Sequence, residues 1–391
     1  MARVLLAWEL GGGFGHLARL APIGAELKAR GHACAYALRF LGSAEAYMDP
    51  ALGPRYQAPV RIGPARNPVR TQTSYASLLH NIGFDNPDEL AGRIRAWRDL
   101  MRILRTEALV ADHSPIALIA ARSLGIRAMN AGNGFSIPPL QQPFPSFRPR
   151  MKISQEVLAK NEAAVLAELN AALKKLKIKP YVALQGIFKG VTPALLSYGE
   201  LDHYQGERQE VNLGRPPESN GDAPQWPAGR GPKLFAHVRG NSTANQALLL
   251  GLSRMSCRVL IRAEGLGSEQ LQPLARPGLT ITEAMLDFAQ IARECDAYVG
   301  TGSHGLCAEM LLQGKPGLLL PQNHEQRLLS MRLTQAGAAL MPAATDADLP
   351  PLLDQLFEDD RLRAAATQIA KRHAPQDRAQ IIPTLLDNWL N

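Results

Sequence analysis

The sequence predicts an α/β protein with two doubly wound, parallel-sheet domains, and three observations lead to that prediction. Short apolar segments that suit buried strands alternate with helix-like segments in both halves of the chain. The stretch 214–232 is rich in Pro, Gly and polar residues, which is typical of a linker. The 391 residues exceed what one core usually organises, and 46% of them are hydrophobic, as in ordinary globular proteins. We expect a first domain over 1–213, a linker over 214–232, a second domain over 233–375 and a C-terminal helix within 376–391.

The chain opens with a predicted strand, a glycine-rich turn and a helix. Residues 4–10 suit a buried strand, the segment from Gly11 to His16 suits a flexible turn, and helical apolar spacing then continues to Gly31. A neutral imidazole just after a strand can accept a hydroxyl proton near neutral pH if a partner fixes its tautomer. His16 is therefore a candidate general base, although Gly-rich turns with one His are also common without that role.

A second apolar strand ends in a carboxylate. Asp112 follows the apolar residues 108–111, and Ser114 and Pro115 are suited to cap and start the next helix. Because the carboxyl ends of parallel strands share one edge of a sheet, Asp112 and His16 could meet in space. A strand-end Asp before Ser-Pro is also a common turn or capping residue. Its candidacy therefore depends on the pairing with His16.

The segment 297–335 contains two turns that suit a nucleotide sugar. A strand at 297–300 runs into the Gly- and hydroxyl-rich turn 301–305 and then into a helix. Unpaired N–H groups and the positive end of the helix dipole make such a turn an anion site. After another short strand, the loop 321–326 ends in Glu325 and Gln326, whose carboxylate and carboxamide match adjacent sugar hydroxyls.

These features together resemble the family-1 (UDP-glycosyltransferase-like) enzymes of the GT-B fold. The family pattern is roughly His-Gly-Gly-x-Gly-x-x-x-Glu followed by Pro-x-x-x-Asp/Glu-Gln. The resemblance spans nearly the whole chain and is strongest at 4–32, 108–125 and 285–337. It implies two Rossmann-like domains facing each other across a cleft and a C-terminal helix, within 376–391, that packs back on the first domain. It also implies metal-independent, inverting transfer of a sugar from a UDP or dTDP donor to an acceptor hydroxyl, with His16 as the base and Asp112 orienting it.

The resemblance also assigns the remaining site residues. Glu309 falls where the family binds ribose hydroxyls, while Thr301 and Ser303 replace the family's diphosphate-contacting His and second Gly. The donor-binding candidates are Arg239, Asn241, Ser242, Asp287, Phe288, Gln290, Thr301, Gly302, Ser303, His304, Gly305, Glu309, Glu325 and Gln326. The acceptor-binding candidates are Gly13, Phe14, Phe135 and Phe144.

Arg239 ends the expected first strand of the second domain. Our hypothesis is that Arg239, with Asn241 or Ser242, compensates for the missing family His at Thr301, because a guanidinium binds phosphate oxygens well. A solvent-facing Arg beside a turn is the alternative.

No metal and no resident cofactor are expected. Four of the histidines share no ligand spacing: His203, His237, His304 and His324. The Asp346-Ala347-Asp348 segment precedes a helical run and suits a helix cap. The cysteines form no paired motif, which fits free thiols in the cytoplasm: Cys34, Cys257, Cys295 and Cys307.

The net charge of +8 is diffuse. Its densest run, over 174–179, lies at the end of a predicted helix and lacks the interleaved aromatic residues that stack on bases, which argues against nucleic acid. No segment has the pattern of a signal peptide or the length of a membrane span, so we expect a cytoplasmic protein; peripheral membrane contact stays open. Two other functions also stay open: a sugar-nucleotide epimerase or hydrolase of the same fold, and a catalytically silent glycosyltransferase-like binding protein.

Overall fold

The computed structural model describes residues 1–148, 150–204, 206, 208–217, 221–240, 242–342 and 349–390. The chain forms two compact units. Unit 1 comprises Met1–Ser197, Tyr204–Pro216 and Ala379–Asn391, and unit 2 comprises Tyr198–His203 and Pro217–Arg378. The main division therefore falls within the predicted linker.

Unit 1 is built on a six-stranded parallel sheet. Its strands are β1 Arg3–Trp8, β2 Ala33–Leu38, β3 Arg55–Gln57, β4 Ala108–Asp112, β5 Arg127–Gly132 and β6 Thr192–Leu195. They lie in the order β3-β2-β1-β4-β5-β6, which is doubly wound around β1. The helices are α1 Gly15–Ala29, α2 Leu41–Tyr47, α3 Tyr75–Leu79, α4 Pro87–Ile103, α5 Pro115–Ser123 and α6 Gln155–Lys175.

Unit 2 repeats this architecture. Its strands are β7 Lys233–Arg239, β8 Arg258–Glu264, β9 Leu279–Thr282, β10 Ala297–Gly300, β11 Gly317–Leu319 and β12 Ala339–Leu340, in the order β12-β11-β10-β7-β8-β9. The helices are α7 Thr243–Arg254, α8 Ser268–Leu271, α9 Phe288–Glu294, α10 His304–Leu312, α11 His324–Gln335, α12 Leu349–Glu358 and α13 Asp360–His373. All strand pairs in both sheets are parallel. The predicted fold class, two doubly wound Rossmann-like domains, is confirmed.

The register of β1 and β4 places their carboxyl ends side by side. Trp8, the last residue of β1, pairs with Asp112, the last residue of β4. Both strands are almost entirely buried, as expected for the centre of a parallel sheet covered by helices on both faces. The turns after β1 and β4 therefore leave the sheet at one edge and next to each other.

The last helix, α14 Ile381–Leu390, belongs to unit 1. Its apolar face is buried in the same core cluster as residues of α1 and β1: Ile381, Ile382, Leu385, Leu386 and Trp389. Arg30, the C-cap residue of α1, fixes this helix through a 2.6 Å hydrogen bond to Asp387 and a 3.0 Å bond to the Pro383 carbonyl. The C-terminal residues therefore complete the core that the N-terminal residues begin.

One short segment belongs to a different unit from the one expected. Residues 198–203 fall in the range predicted for the first domain, but Tyr198 and Leu201 are buried in the apolar core of unit 2. Glu200 also pairs with Arg372 at 3.0 Å and with His373 at 2.9 Å. Apolar burial and these ion pairs together tie the segment to unit 2.

Within the described ranges, no helix is both long and apolar enough to cross a membrane. The same ranges contain no group of three or more His, Cys, Asp or Glu side chains placed to hold a metal ion. The four cysteines are free thiols. The Asp346-Ala347-Asp348 segment lies outside the described residues.

Candidate active site and nucleotide site

His16 and Asp112 meet at the carboxyl edge of the unit 1 sheet. His16 is the second residue of α1, and its Nδ1 atom lies 2.9 Å from Oδ1 of Asp112. Asp112 is fully buried, and His16 is 9% exposed. The neighbouring positions of β1 and β4 bring the two residues together although they are 96 positions apart in the chain.

A third residue, Arg19, joins this pair and was not among the sequence candidates. Its Nε atom donates to Oδ2 of Asp112 at 2.8 Å, and its Nη2 atom donates to Oδ1 at 3.1 Å. Nη2 also lies 3.0 Å from Nδ1 of His16. The available signal was the spacing of three residues between His16 and Arg19, which puts both on one face of a helix.

The charge of Asp112 is fixed by this arrangement. Burial of the carboxyl opposes its ionisation, but the positive charge of Arg19 and the contacts with His16 outweigh burial and lower the pKa of Asp112 to about 2. An ionised carboxylate can only accept hydrogen bonds. A hydrogen bond between Asp112 and His16 thus requires the proton on Nδ1, which makes Nε2 the nitrogen that can accept one.

The Nε2 atom faces the exposed glycine turn. A Cβ atom placed on Gly11 would lie 2.5 Å from Nε2, and Gly11 has a φ of +84°. The Trp8 indole stacks on the imidazole with ring centroids 4.9 Å apart, and its Nε1 atom donates to the Leu10 carbonyl at 2.7 Å. The ring of His16 is thus held on one side by Asp112 and on one face by Trp8. Its accepting nitrogen points toward Gly11, where the Cβ atom of any other residue would collide with it.

Glu9 connects the two strand ends and was also missed. Ser114 lies at the N-cap position of α5, but its hydroxyl donates to the Asp112 carbonyl at 3.0 Å instead of accepting from the helix. Oε2 of Glu9 accepts from the Ile116 N–H at 3.1 Å in its place. The Leu10 N–H donates to the His113 carbonyl, also at 3.1 Å. The sequence signal was a single carboxylate at the end of an apolar strand.

Replacing Glu9 by Gln should stabilise the protein at pH 8 and have little effect near pH 4. Burial raises the pKa of the Glu9 carboxyl to about 7, and nearby Arg93 and backbone N–H groups only partly oppose this. The contribution of the protonated Glu9 carboxyl to the stability of the fold is therefore complete below the ordinary pKa of 4.5 and is lost as the pH rises through 7. This loss amounts to about 3 kcal/mol. Gln keeps the acceptor for Ile116 without the ionisation.

Thermal midpoints of the wild type and Glu9→Gln at pH 4.5 and pH 8 measure this effect. The exposed Glu283→Gln is the control, because its carboxylate has no burial cost to lose. A Glu9→Gln midpoint that falls below wild type at pH 8 would show that the ionised carboxylate is favoured in the folded protein.

The acceptor candidates lie in two places in unit 1. Gly13 and Phe14 belong to the turn before α1, where Phe14 stacks on Tyr47 with centroids 5.6 Å apart. Phe144 is fully buried and Phe135 is 7% exposed. These two rings belong to an aromatic cluster that also contains Tyr75, His113, Phe147 and Phe188. In this structure they hold their loop against the body of unit 1.

The predicted phosphate turn of unit 2 connects β10 to α10. Gly302 has a φ of +79°, and a Cβ atom there would lie 2.3 Å from Oγ of Ser330 and 2.9 Å from the Gln326 carbonyl oxygen. Ser303 is the N-cap residue of α10, and His304 begins the helix. Thr301 and His304 are almost fully buried. The glycine therefore lets the turn pack against α11 directly before a helix N-terminus.

Two further loops meet this turn at the carboxyl edge of β7, β10 and β11. Gln322 donates from Nε2 to the Arg239 carbonyl at 2.7 Å, and its N–H donates to Oε1 of Gln326 at 2.9 Å. Ser242 caps α7 by accepting from the Asn245 N–H at 3.2 Å. Glu325 lies 3.9 Å from Nε2 of His203. Asn241 falls outside the described residues.

A carboxylate with two guanidinium groups and one imidazole around it lies beside these loops. Glu264 lies 2.7 Å from Nη1 of Arg262, 3.1 Å from Nε2 of His237 and 3.3 Å from Nε of Arg239. Burial opposes ionisation of Glu264, but these three neighbours outweigh it and lower its pKa to about 2. The Arg239 side chain is 55% exposed, so one guanidinium of this cluster is accessible from solvent. The Phe288 ring lies 5.7 Å from that of His237.

The remaining donor candidates have partners within unit 2. Glu309 is 1% exposed, and both its oxygens accept from Arg378, at 3.0 Å and 2.5 Å. Asp287 caps α9 by accepting from the Gln290 N–H at 3.0 Å. The Gln290 side chain donates to Glu294 at 2.8 Å. The Arg378 contact was not foreseen, because 69 positions separate it from Glu309.

Solved glycosyltransferase structures resemble the chain over its whole length. Glycosyltransferase VinC in complex with dTDP is similar with a TM-score of 0.71 and 15% identity, over 98% of each chain. The calicheamicin glycosyltransferase CalG4 is similar with a TM-score of 0.70 and 16% identity, over 100% of this chain and 98% of its own. The chain has the GT-B fold. SsfS6 from Streptomyces sp. SF2575, complexed with thymidine diphosphate, has the same fold with a TM-score of 0.59 and 17% identity, over 99% of this chain and 100% of its own.

No protein-family model and no curated protein matches the sequence. The GT-B likeness therefore concerns the fold. Within this GT-B chain, the His16 group lies at the carboxyl edge of one sheet and the 301–305 turn at the carboxyl edge of the other. Carboxyl edges at the reversal of strand order are where doubly wound sheets bind their ligands.

Proposed function

We propose that the chain is a metal-independent, inverting glycosyltransferase of the family-1 type, acting on a UDP or dTDP sugar and an acceptor hydroxyl. The observation that carries the proposal is the contact of His16 Nδ1 with the buried, ionised Asp112, which leaves Nε2 as the proton acceptor. The dTDP bound by VinC and SsfS6 supports a pyrimidine diphosphate as the donor nucleotide. The four free thiols support a cytoplasmic location.

The chemistry assigned to unit 1 is removal of a proton. Nε2 of His16 takes the acceptor hydroxyl proton as that oxygen forms a bond to the anomeric carbon. The bond from this carbon to the diphosphate oxygen breaks, and its electron pair leaves with the diphosphate. A single displacement of this kind inverts the anomeric configuration. The ionised Asp112 orients His16 throughout and stabilises the imidazolium that forms.

The chemistry assigned to unit 2 is binding of the donor. Backbone N–H groups of Gly302, Ser303, His304 and Gly305 and the N-terminus of α10 would stabilise the leaving diphosphate without a metal. Arg239, with Ser242 or Asn241, would replace the contact to the diphosphate that the family His makes at the position of Thr301. Glu325 and Gln326 would bind the hydroxyls of the sugar. These assignments extend the family resemblance residue by residue.

One observation favours a second candidate, the catalytically silent binding protein. In the family pattern Glu309 binds ribose, but here both of its oxygens accept from Arg378. A nucleotide that used Glu309 would have to compete with this bidentate pair. A chain that had lost the ability to bind the donor would retain the fold and the Glu309–Arg378 pair.

Nucleotide-induced thermal stabilisation, combined with an assay of sugar transfer and hydrolysis, separates these candidates. We expect UDP or dTDP to raise the thermal midpoint more than GDP or ADP, because a ligand that binds only the folded state stabilises it in proportion to its affinity. Arg239→Ala should weaken this binding by about tenfold, the effect of losing one charge-assisted contact. Arg254→Ala removes the same charge from an exposed residue at the far end of α7 and is the matched control.

If Arg239→Ala and Arg254→Ala weaken nucleotide binding equally, Arg239 acts only through its contribution to the net charge of the protein. The absence of a midpoint shift with all four nucleotides, at concentrations far above usual affinities, would overturn the transferase proposal. If a nucleotide binds but no sugar is transferred or hydrolysed, the silent binding protein is the better description.

A further inference from the structure

Arg19 is placed to control the charge of the His16 group. Its side chain is 6% exposed, and it makes hydrogen bonds to both oxygens of Asp112. The same guanidinium has its Nη2 atom 3.0 Å from Nδ1 of His16. Arg19 is therefore in contact with both members of the pair and not with Asp112 alone.

The charges of the three residues explain why this contact matters. With a neutral His16, the negative charge of Asp112 and the positive charge of Arg19 cancel. Protonation of His16 leaves a net positive charge in a buried group, whereas an unneutralised Asp112 would balance an imidazolium fully. A nearby like charge disfavours the charged form of a titratable group. Arg19 guanidinium is protonated at all accessible pH values, so this opposition is permanent.

The surroundings of His16 offer few other groups that could set its charge. Among the described residues, the β4–α5 segment contributes Asp112 and His113, whose ring centroid lies 6.3 Å from that of His16. Helix α1 contributes Arg19 itself. On the β1 side, the neighbour is the Trp8 indole, which does not titrate. Asp112 and Arg19 are thus the two charged groups in direct contact with the imidazole.

We propose that Arg19 is a positioning residue that holds Asp112 in its orientation and whose positive charge opposes protonation of His16, so that the base is neutral when the acceptor hydroxyl reaches it. This inference deepens the proposed function, because it concerns how the proposed base is kept ready. The acid side of the pH–rate profile then extends to lower pH than it would if His16 and Asp112 were paired without Arg19.

The test is a pH titration of His16 by ¹H–¹³C NMR, which needs no acceptor and no turnover. His16→Gln assigns the signal, because it removes one of nine His resonances. In Arg19→Met we expect the midpoint of the His16 titration to rise by about one pH unit or more. Lys28→Met is the control, since it removes a charge from the exposed end of the same helix and should leave the midpoint unchanged.

An unchanged or lowered His16 midpoint in folded Arg19→Met would overturn the inference. If Arg19→Met does not fold, Arg19→Lys and Arg19→Gln replace it, with the larger rise expected for Gln because Lys retains the charge; no rise in either variant overturns the inference equally. Because the NMR readout is independent of activity, a raised midpoint in a protein that binds no nucleotide would support the role of Arg19 while the transferase proposal fails. With an active enzyme, the acid limb of the pH profile should move upward by the same amount.

Discussion

His16→Gln should lower the rate of sugar transfer by about 10²- to 10⁴-fold, the usual contribution of a positioned general base. Gln has no nitrogen that can take a proton, and its amide can still donate to Asp112. The fold should therefore survive. Stabilisation by the nucleotide should also survive, because the proposed donor residues belong to unit 2. Initial rates at saturating donor, together with the nucleotide-induced midpoint shift, measure the two effects separately.

A pair of glycine variants tests the geometry behind this prediction. Gly11→Ala would place a Cβ atom 2.5 Å from Nε2 of His16 at a φ of +84°, so the imidazole must shift and the rate should fall in the same direction as in His16→Gln. Gly12→Ala is the matched control, because a Cβ atom there meets nothing within 4 Å. Full activity in His16→Gln, or equal losses in the two Gly variants, would exclude Nε2 as the catalytic atom.

Asp112→Asn should destabilise the folded protein by about 3–5 kcal/mol, the typical cost of leaving one partner of a buried ion pair alone. Asp112 is fully buried, and Arg19 makes two hydrogen bonds to it. An Asn amide cannot neutralise the guanidinium. It could also present a donor to Nδ1 of His16, which would move the imidazole proton to Nε2 and remove the proposed base.

Urea unfolding at pH 7 measures the loss of stability. Asp99→Asn is the control, because its ion pair with Arg102 is about half exposed and should contribute less than about 1 kcal/mol. The pH dependence has a defined sign. The pKa of Asp112 is lowered to about 2, so its contribution is present above the ordinary value of 3.8 and is lost as the pH falls through 2. Equal stability of Asp112→Asn and wild type at pH 7 would mean that Arg19 finds another partner.

The fold was predictable because its signals are local. Apolar strand segments ended by turn residues, followed by helical spacing, repeat in both halves of the sequence. The meeting of His16 and Asp112 could also be expected, since a parallel sheet gathers the ends of its strands at one edge. The same rule says nothing about which further side chains fill the space between them.

Arg19 and Glu9 were missed for that reason. Arg19 looked like one more cation on a helix, and Glu9 looked like the polar end of a strand, yet both are buried by elements distant in sequence. The Glu309–Arg378 pair depends on the path of the chain after α13 and has no local signal. Phe135 and Phe144 belong to a loop whose composition suits either packing or an acceptor surface, and only three-dimensional neighbours distinguish these roles.

Helix α14 has a consequence for the order in which the protein is made. During synthesis the N-terminal segments of a chain leave the ribosome first and usually begin to fold there. In this chain the core of unit 1 includes Ile381, Leu386 and Trp389, which follow nearly all of unit 2 in the sequence. The core of unit 1 can therefore be completed only after the residues of unit 2 have been synthesised.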